Sequence, residues 1–122
     1  MSPLLIVYCI SATLLLIHEI ESAYEKEWEI LALPGGISGF LLLHIPIILI
    51  VFYGAIELAW GTLLGSIISL ILGFGGLLPF FVHGVLVRRK VHFNRITSWL
   101  TIYANMVVGI ALLIISLSKI VA

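Results

Sequence analysis

Four long apolar runs, separated by short polar or glycine-rich connections, set the pattern of this chain. They cover about residues 4–20, 37–56, 62–87 and 98–117. Each is near the roughly 20 apolar residues that an α-helix needs to cross hydrocarbon. The pattern predicts an all-α, integral membrane bundle of four transmembrane helices, in a single transmembrane domain over residues 1–122. The first run has no basic leader and no small-residue cleavage site, and is expected to be a permanent span rather than a signal peptide.

Punctuation residues refine the spans. Leu33-Pro34-Gly35-Gly36 stops a helix and turns the chain. Pro46, two residues after His44, removes a backbone donor and is expected to loosen the second helix there. Gly61, Gly65, Ser69 and Gly73 recur every four residues and form a small-residue ridge along which helices approach closely. Gly75-Gly76 and Pro79 predict a third helix bent or broken near Gly75–Pro79. In the fourth span Asn94, Ser98, Thr101, Asn105 and Gly109 form a polar stripe, expected to face protein. Tyr24 and Trp28 read as interfacial anchors.

Composition agrees with the pattern. The chain is 62% hydrophobic and 10% charged, against roughly 25% charged in a soluble domain, with a mean hydropathy of +1.30. A net charge of zero leaves no footprint for nucleic acid. The one cysteine, Cys9, excludes an internal disulfide and reads as a buried spectator. The connection after the first span carries five glutamates against Lys26, and the connection after the third carries Arg88, Arg89, Lys90 and Arg95. Basic short loops stay cytoplasmic. The expectation is a multi-pass protein of the cell membrane, with loops 21–36 and 88–97 cytoplasmic and both termini outside. The basic run reads as a topology determinant, with anionic headgroups as the alternative contact.

The candidate chemistry lies at the end of the first span. The stretch His18 to Glu29 holds five of the six acidic residues. On a continuous helix His18, Glu21 and Glu25 share one stripe. Glu19, Glu27 and Glu29 read as a solvated face beside it. At about 1.5 Å per residue, His44 lies roughly 10 Å below the same membrane edge and His83 roughly 6 Å below it. Three histidines from three spans at similar depth, with a carboxylate, suit a transition metal: iron, zinc, manganese or copper. The expected ligands are His18, Glu21, His44 and His83, with Glu25 as a candidate general base. Asn105 is expected to join helices or to support His44, and Glu57 to be interfacial at the opposite surface.

The combination His18-Glu19, Glu21, Ala23, Lys26-Glu27-Trp28, His44-Ile45-Pro46, His83, His92 and Ser98 resembles an uncharacterised prokaryotic family of small four-helix membrane proteins, domain of unknown function 6713. The resemblance runs from Leu14 to about Leu113. It implies a four-helix membrane fold and a shared polar site, and brings no activity with it. The favoured expectation is a membrane metalloenzyme, an oxidoreductase or hydrolase acting on a lipid-borne substrate in the bilayer. The rival is an accessory subunit without chemistry, docked to other membrane subunits or to a second copy through its small-residue faces. A proton or ion transporter fits poorly, because the polar groups stop short of the far half of the bilayer.

Overall fold

A computed structural model describes residues 1–86 and 95–122, with side chains excluded at 85 and 86. The basic run Arg88-Arg89-Lys90, His92 and Asn94 lie outside the described residues. Helix α1 spans Pro3–Tyr24, α2 Glu27–Ile30, α3 Gly36–Ala59, α4 Leu63–Phe81 and α5 Ile96–Val121; α4 runs on into a π-helical turn at Val82–Leu86. Among the described residues four helices are long and apolar enough to cross a membrane, at 22, 24, 22 and 26 residues. The shortest is about 33 Å long at the helical rise, just over the hydrocarbon thickness. This is an all-α, multi-pass membrane architecture.

The ends of the helices follow from their sequences. Pro3 opens α1, and the Ser2 hydroxyl accepts a hydrogen bond from the Leu5 amide at 3.2 Å. Gly35, at φ +95, leads into α3; a Cβ there would lie 2.9 Å from the Gly39 backbone, so glycine is required. At the other surface Thr62 caps α4, accepting from the Gly65 amide at 3.0 Å and donating to the Glu57 carboxylate at 2.6 Å. Glu57, expected to be interfacial, thus fastens the α3–α4 turn.

Both internal prolines sit inside unbroken helices. The break expected near Gly75–Pro79 does not interrupt α4, which stays α-helical to Phe81 before the π turn. Neighbouring helices in a bundle hold such segments in place, as is common in membranes.

Helix α1 touches α3, α4 and α5, while α4 packs most extensively on α5. Of the small-residue ridge, Gly65 faces α3 and Gly73 faces α5, and the close α4–α5 contact rests on Gly73 with Gly76 and Gly109. A Cβ on Gly76 would sit 2.9 Å from the Asn105 carbonyl oxygen, and one on Gly109 would sit 2.8 Å from the Gly73 carbonyl oxygen. Side chains reach backbone carbonyls across α1: the Tyr8 hydroxyl donates to the Val51 carbonyl at 2.6 Å, and the Asn105 amide donates to the Leu14 carbonyl at 3.1 Å. Asn105 is therefore a helix-joining residue. Leu4, Tyr8, Ala12, Val51, Leu58, Ile68, Leu72 and Leu112 form the apolar core. It fills the half of the bundle nearest the N-terminus of α1, and the polar groups gather at the other end. The outer faces are apolar, as at Leu42, Leu49, Ile71 and Ile114.

Gly76→Val should destabilise the protein by about 1–3 kcal/mol, because its side chain meets backbone that cannot yield. Gly84→Ala, where a Cβ meets nothing within 4 Å, should leave the melting temperature in detergent nearly unchanged.

Candidate metal centre

At about 100° per residue, successive side chains on the last turns of α1 fan outward. Glu19 lies to one side of His18 and Glu21 to the other, so the three address different neighbours. The chain then breaks. Lys26 takes a left-handed backbone, φ 54, and folds α2 back against the bundle. Glu27, at the start of α2, turns inward with Trp28 and both are buried.

That reversal assembles a three-residue cluster. One ligand atom each of His18, Glu27 and His83 lies within 4.8 Å of the others. His83 Nε2 is 3.5 Å from Glu27 Oε1, and the His18 and His83 rings meet edge to face with centroids 5.2 Å apart. The residues are 2%, 8% and 6% exposed, so the group is enclosed by protein. His83 sits in the π turn, a form often found at functional sites. Ser22, one turn beyond His18, lies 3.4 Å from His18 Nε2 and also acts on Glu27. Burial by itself would raise the Glu27 carboxyl. The contacts with His83 and Ser22, with the electrostatic influence of His18 and His83, outweigh it and hold the group below the usual carboxylate range.

Two imidazoles and one carboxylate form a donor set found in three-ligand zinc sites and in non-haem iron sites. A tetrahedral ion with bonds of about 2.1 Å needs donors roughly 3.4 Å apart. The His83–Glu27 separation already matches, and the widest pair would close by little more than an ångström.

The other expected site residues are placed around this group. His44 lies on the adjoining wall: Nδ1 is 2.7 Å from the Phe40 carbonyl oxygen and Nε2 is 2.8 Å from Glu19 Oε2. A carbonyl only accepts, so Nδ1 carries a hydrogen. The imidazole also stacks on Phe40, which in turn meets Trp28, at centroid distances of 4.1 and 5.5 Å. Glu21 is turned toward α5, where the Ser98 hydroxyl donates to it and Arg95 lies 3.4 Å away. Glu25, read as a general base, pairs with Arg95 at 2.8 Å, and Arg95 also covers the Tyr24 ring. His18 and His83 are brought together; Glu21, Glu25 and His44 stand outside their cluster.

Glu27 is a correction to the sequence reading, which placed it on a solvated face. The continuous-helix assumption puts it off the stripe, and the left-handed Lys26 re-aims it. Its place beside the buried Trp28 is the one local signal that marks it. Glu19 likewise is engaged by His44 rather than simply solvated.

Against this geometry, the family model for a family of unknown function, DUF6713, matches residues 4–119. The chain belongs to that family. No curated protein and no solved structure matches it.

Arg95→Ala should cost no more than about 1 kcal/mol of stability, since its ion pairs are partly exposed. Ser98→Val, which removes the hydroxyl partner of Glu21 inside the bundle, should cost about 1–3 kcal/mol. Thermal unfolding of the two variants in one detergent measures the order.

Proposed function

We propose that this protein is a small membrane metalloenzyme whose metal is held by His18, Glu27 and His83. The observation that carries the reading is the convergence of two histidines and a carboxylate, buried, from three different elements. Helix bundles hold metals by inward side chains in this way. Ser22 would orient His18 and Glu27, the supporting contact that metal ligands ordinarily have.

Three protein ligands leave a coordination position for water or substrate, as in catalytic rather than structural sites. When bound, zinc or iron there would act as a Lewis acid and lower the pKa of coordinated water. The chain's own part is to exclude bulk water, to hold two neutral imidazoles and a carboxylate in place, and to keep Arg95 with Glu21 and Glu25 rather than with Glu27. This supports a hydrolytic reaction at the membrane edge more directly than an oxidoreductase, with a substrate reached from the lipid. With the basic connection on the cytoplasmic side, the centre lies at the cytoplasmic end of the bundle. The apolar outer faces serve lipid and a partner helix equally well, and so favour neither an enzyme nor an accessory subunit.

Protein purified without chelator should carry about one transition-metal ion per chain by elemental analysis. His18→Ala, Glu27→Gln and His83→Ala should each remove it, while Glu21→Gln and His44→Ala retain it. Loss in the second pair with retention in the first would move the ligands to the other set. Absence of metal from every sample, including protein refilled with zinc or ferrous iron, would sink the reading. Affinity should fall as pH drops, because protons compete with the metal for the imidazole nitrogens.

A further inference from the structure

A cavity of about 380 Å³ opens between α1, α3 and α4, closed on one side by α2. That volume lies in the range of small-molecule sites. Its polar lining is confined to His18, Glu19, Glu27 and His44. These four stand at the end of the bundle where the metal group lies. Below them the wall is apolar down to Ala12 and Val51. Val51 follows His44 by seven residues, which places it about 10 Å deeper along α3. Leu31 and Leu33, both exposed, stand at the rim. The space is thus a tapered amphiphile: a deep apolar chamber with a short polar collar.

The collar specifies the head group. His18 and Glu27 belong to the metal group, which leaves Glu19 and His44 to meet a ligand. Both nitrogens of His44 are engaged, Nδ1 by the Phe40 carbonyl and Nε2 by Glu19 Oε2. Glu19 retains a second carboxylate oxygen, and its side chain is 27% exposed. The hydrogen shared in the Nε2–Oε2 contact leaves the pair with no net charge, and the second Glu19 oxygen is an acceptor. It fits an uncharged head that donates a hydrogen bond, and a carboxylate has no hydrogen to donate to it.

We propose that this cavity binds a single-chain lipid ending in an uncharged hydroxyl, with its hydrocarbon between α1, α3 and α4 and its hydroxyl donating to Glu19 beside the His18–Glu27–His83 group. The inference goes beyond the metalloenzyme reading: a lipid alcohol is what hydrolysis of a single-chain ester leaves, so it stands on the product side of that reaction and not as its substrate. It rests on that reading for any reaction but not for the binding itself. His44 is a positioning residue here, since it acts by fixing the Glu19 carboxylate.

Trp28 lines the cavity and is buried, which supplies an optical probe. The experiment uses the full chain with Trp60→Phe and Trp99→Phe, treated with EDTA, in nanodiscs of dioleoylphosphatidylcholine. The ligand is ω-bromoundecanol, whose bromine quenches tryptophan on contact. Saturable quenching of Trp28 is expected. Gly75→Leu should abolish the saturable part: a Cβ at Gly75 meets Leu15 at an ordinary 3.6 Å, so the larger side chain grows into the chamber. Ala12→Leu repeats the test from α1 should the first variant fail to fold. His44→Ala should weaken binding about three- to tenfold, the worth of a misplaced hydrogen bond. The acid ω-bromoundecanoate should bind more weakly than the alcohol.

Quenching that rises linearly with probe and is unchanged in the filled variants would show bulk lipid contact alone and overturn the proposal. Equal binding of acid and alcohol would overturn the assigned head group. Because metal is stripped beforehand, saturable binding here together with no metal in the elemental analysis would leave a lipid site without a metal. The converse pair of results would leave a metal centre with a different ligand.

Discussion

In hydrocarbon a polar side chain has no water to return to, so it must find its partner within the protein. The bundle is arranged around that constraint. Helix α1 touches the other three long helices, and it carries or faces most of the polar groups that need partners. Tyr8 reaches a carbonyl of α3, and Asn105 of α5 reaches a carbonyl of α1. At the end of α1, Glu19 pairs with α3, His18 approaches α4, and Glu21 pairs with α5. One helical turn thus makes three different polar contacts because its side chains fan by about 100° per residue.

Close packing then supplies what polar ties cannot. Lipid tails compete on equal terms with leucine, so helix association depends on dispersion at short range. Gly73, Gly76 and Gly109 let α4 and α5 approach until backbone meets backbone. That approach fixes the position of α5 and hence where Ser98 and Arg95 meet the carboxylates at the rim. In the membrane half with the apolar core the Tyr8 hydroxyl meets the demand for a polar partner at the Val51 carbonyl, and the Glu57–Thr62 contact closes the α3–α4 turn.

What the sequence made legible was axial, and what it hid was angular. Four spans follow from apolar run length, and the turn at Pro34-Gly35-Gly36 follows from backbone freedom. The common level of His18, His44 and His83 follows from counting residues from one surface, where α1 and α4 end and α3 begins. Which way each points does not follow from counting. His44 shares the level of the cluster but is held toward Glu19 and Phe40. Nothing in Tyr24-Glu25-Lys26-Glu27 announces that Lys26 will adopt a left-handed backbone, a conformation uncommon outside glycine and asparagine. The reversal at that residue decides which glutamate enters the cluster. The π turn holding His83 is equally silent in the residues that form it.

The five glutamates of the connecting region are therefore not interchangeable. Arg95 lies against Glu21 and Glu25, and a serine donates to Glu21, so those two carboxylates are met by groups that stay protonated at every relevant pH. Glu19 is met by a histidine whose other nitrogen is fixed by a carbonyl. Glu27 alone is enclosed with two imidazoles, His18 and His83, among the described residues. A guanidinium in its place would fill the cluster with a permanent cation and exclude any metal. By holding Arg95 on the α5 side of α1, Glu21 and Glu25 keep that cation from Glu27. The carboxylates outside the cluster thus leave Glu27 to the two imidazoles.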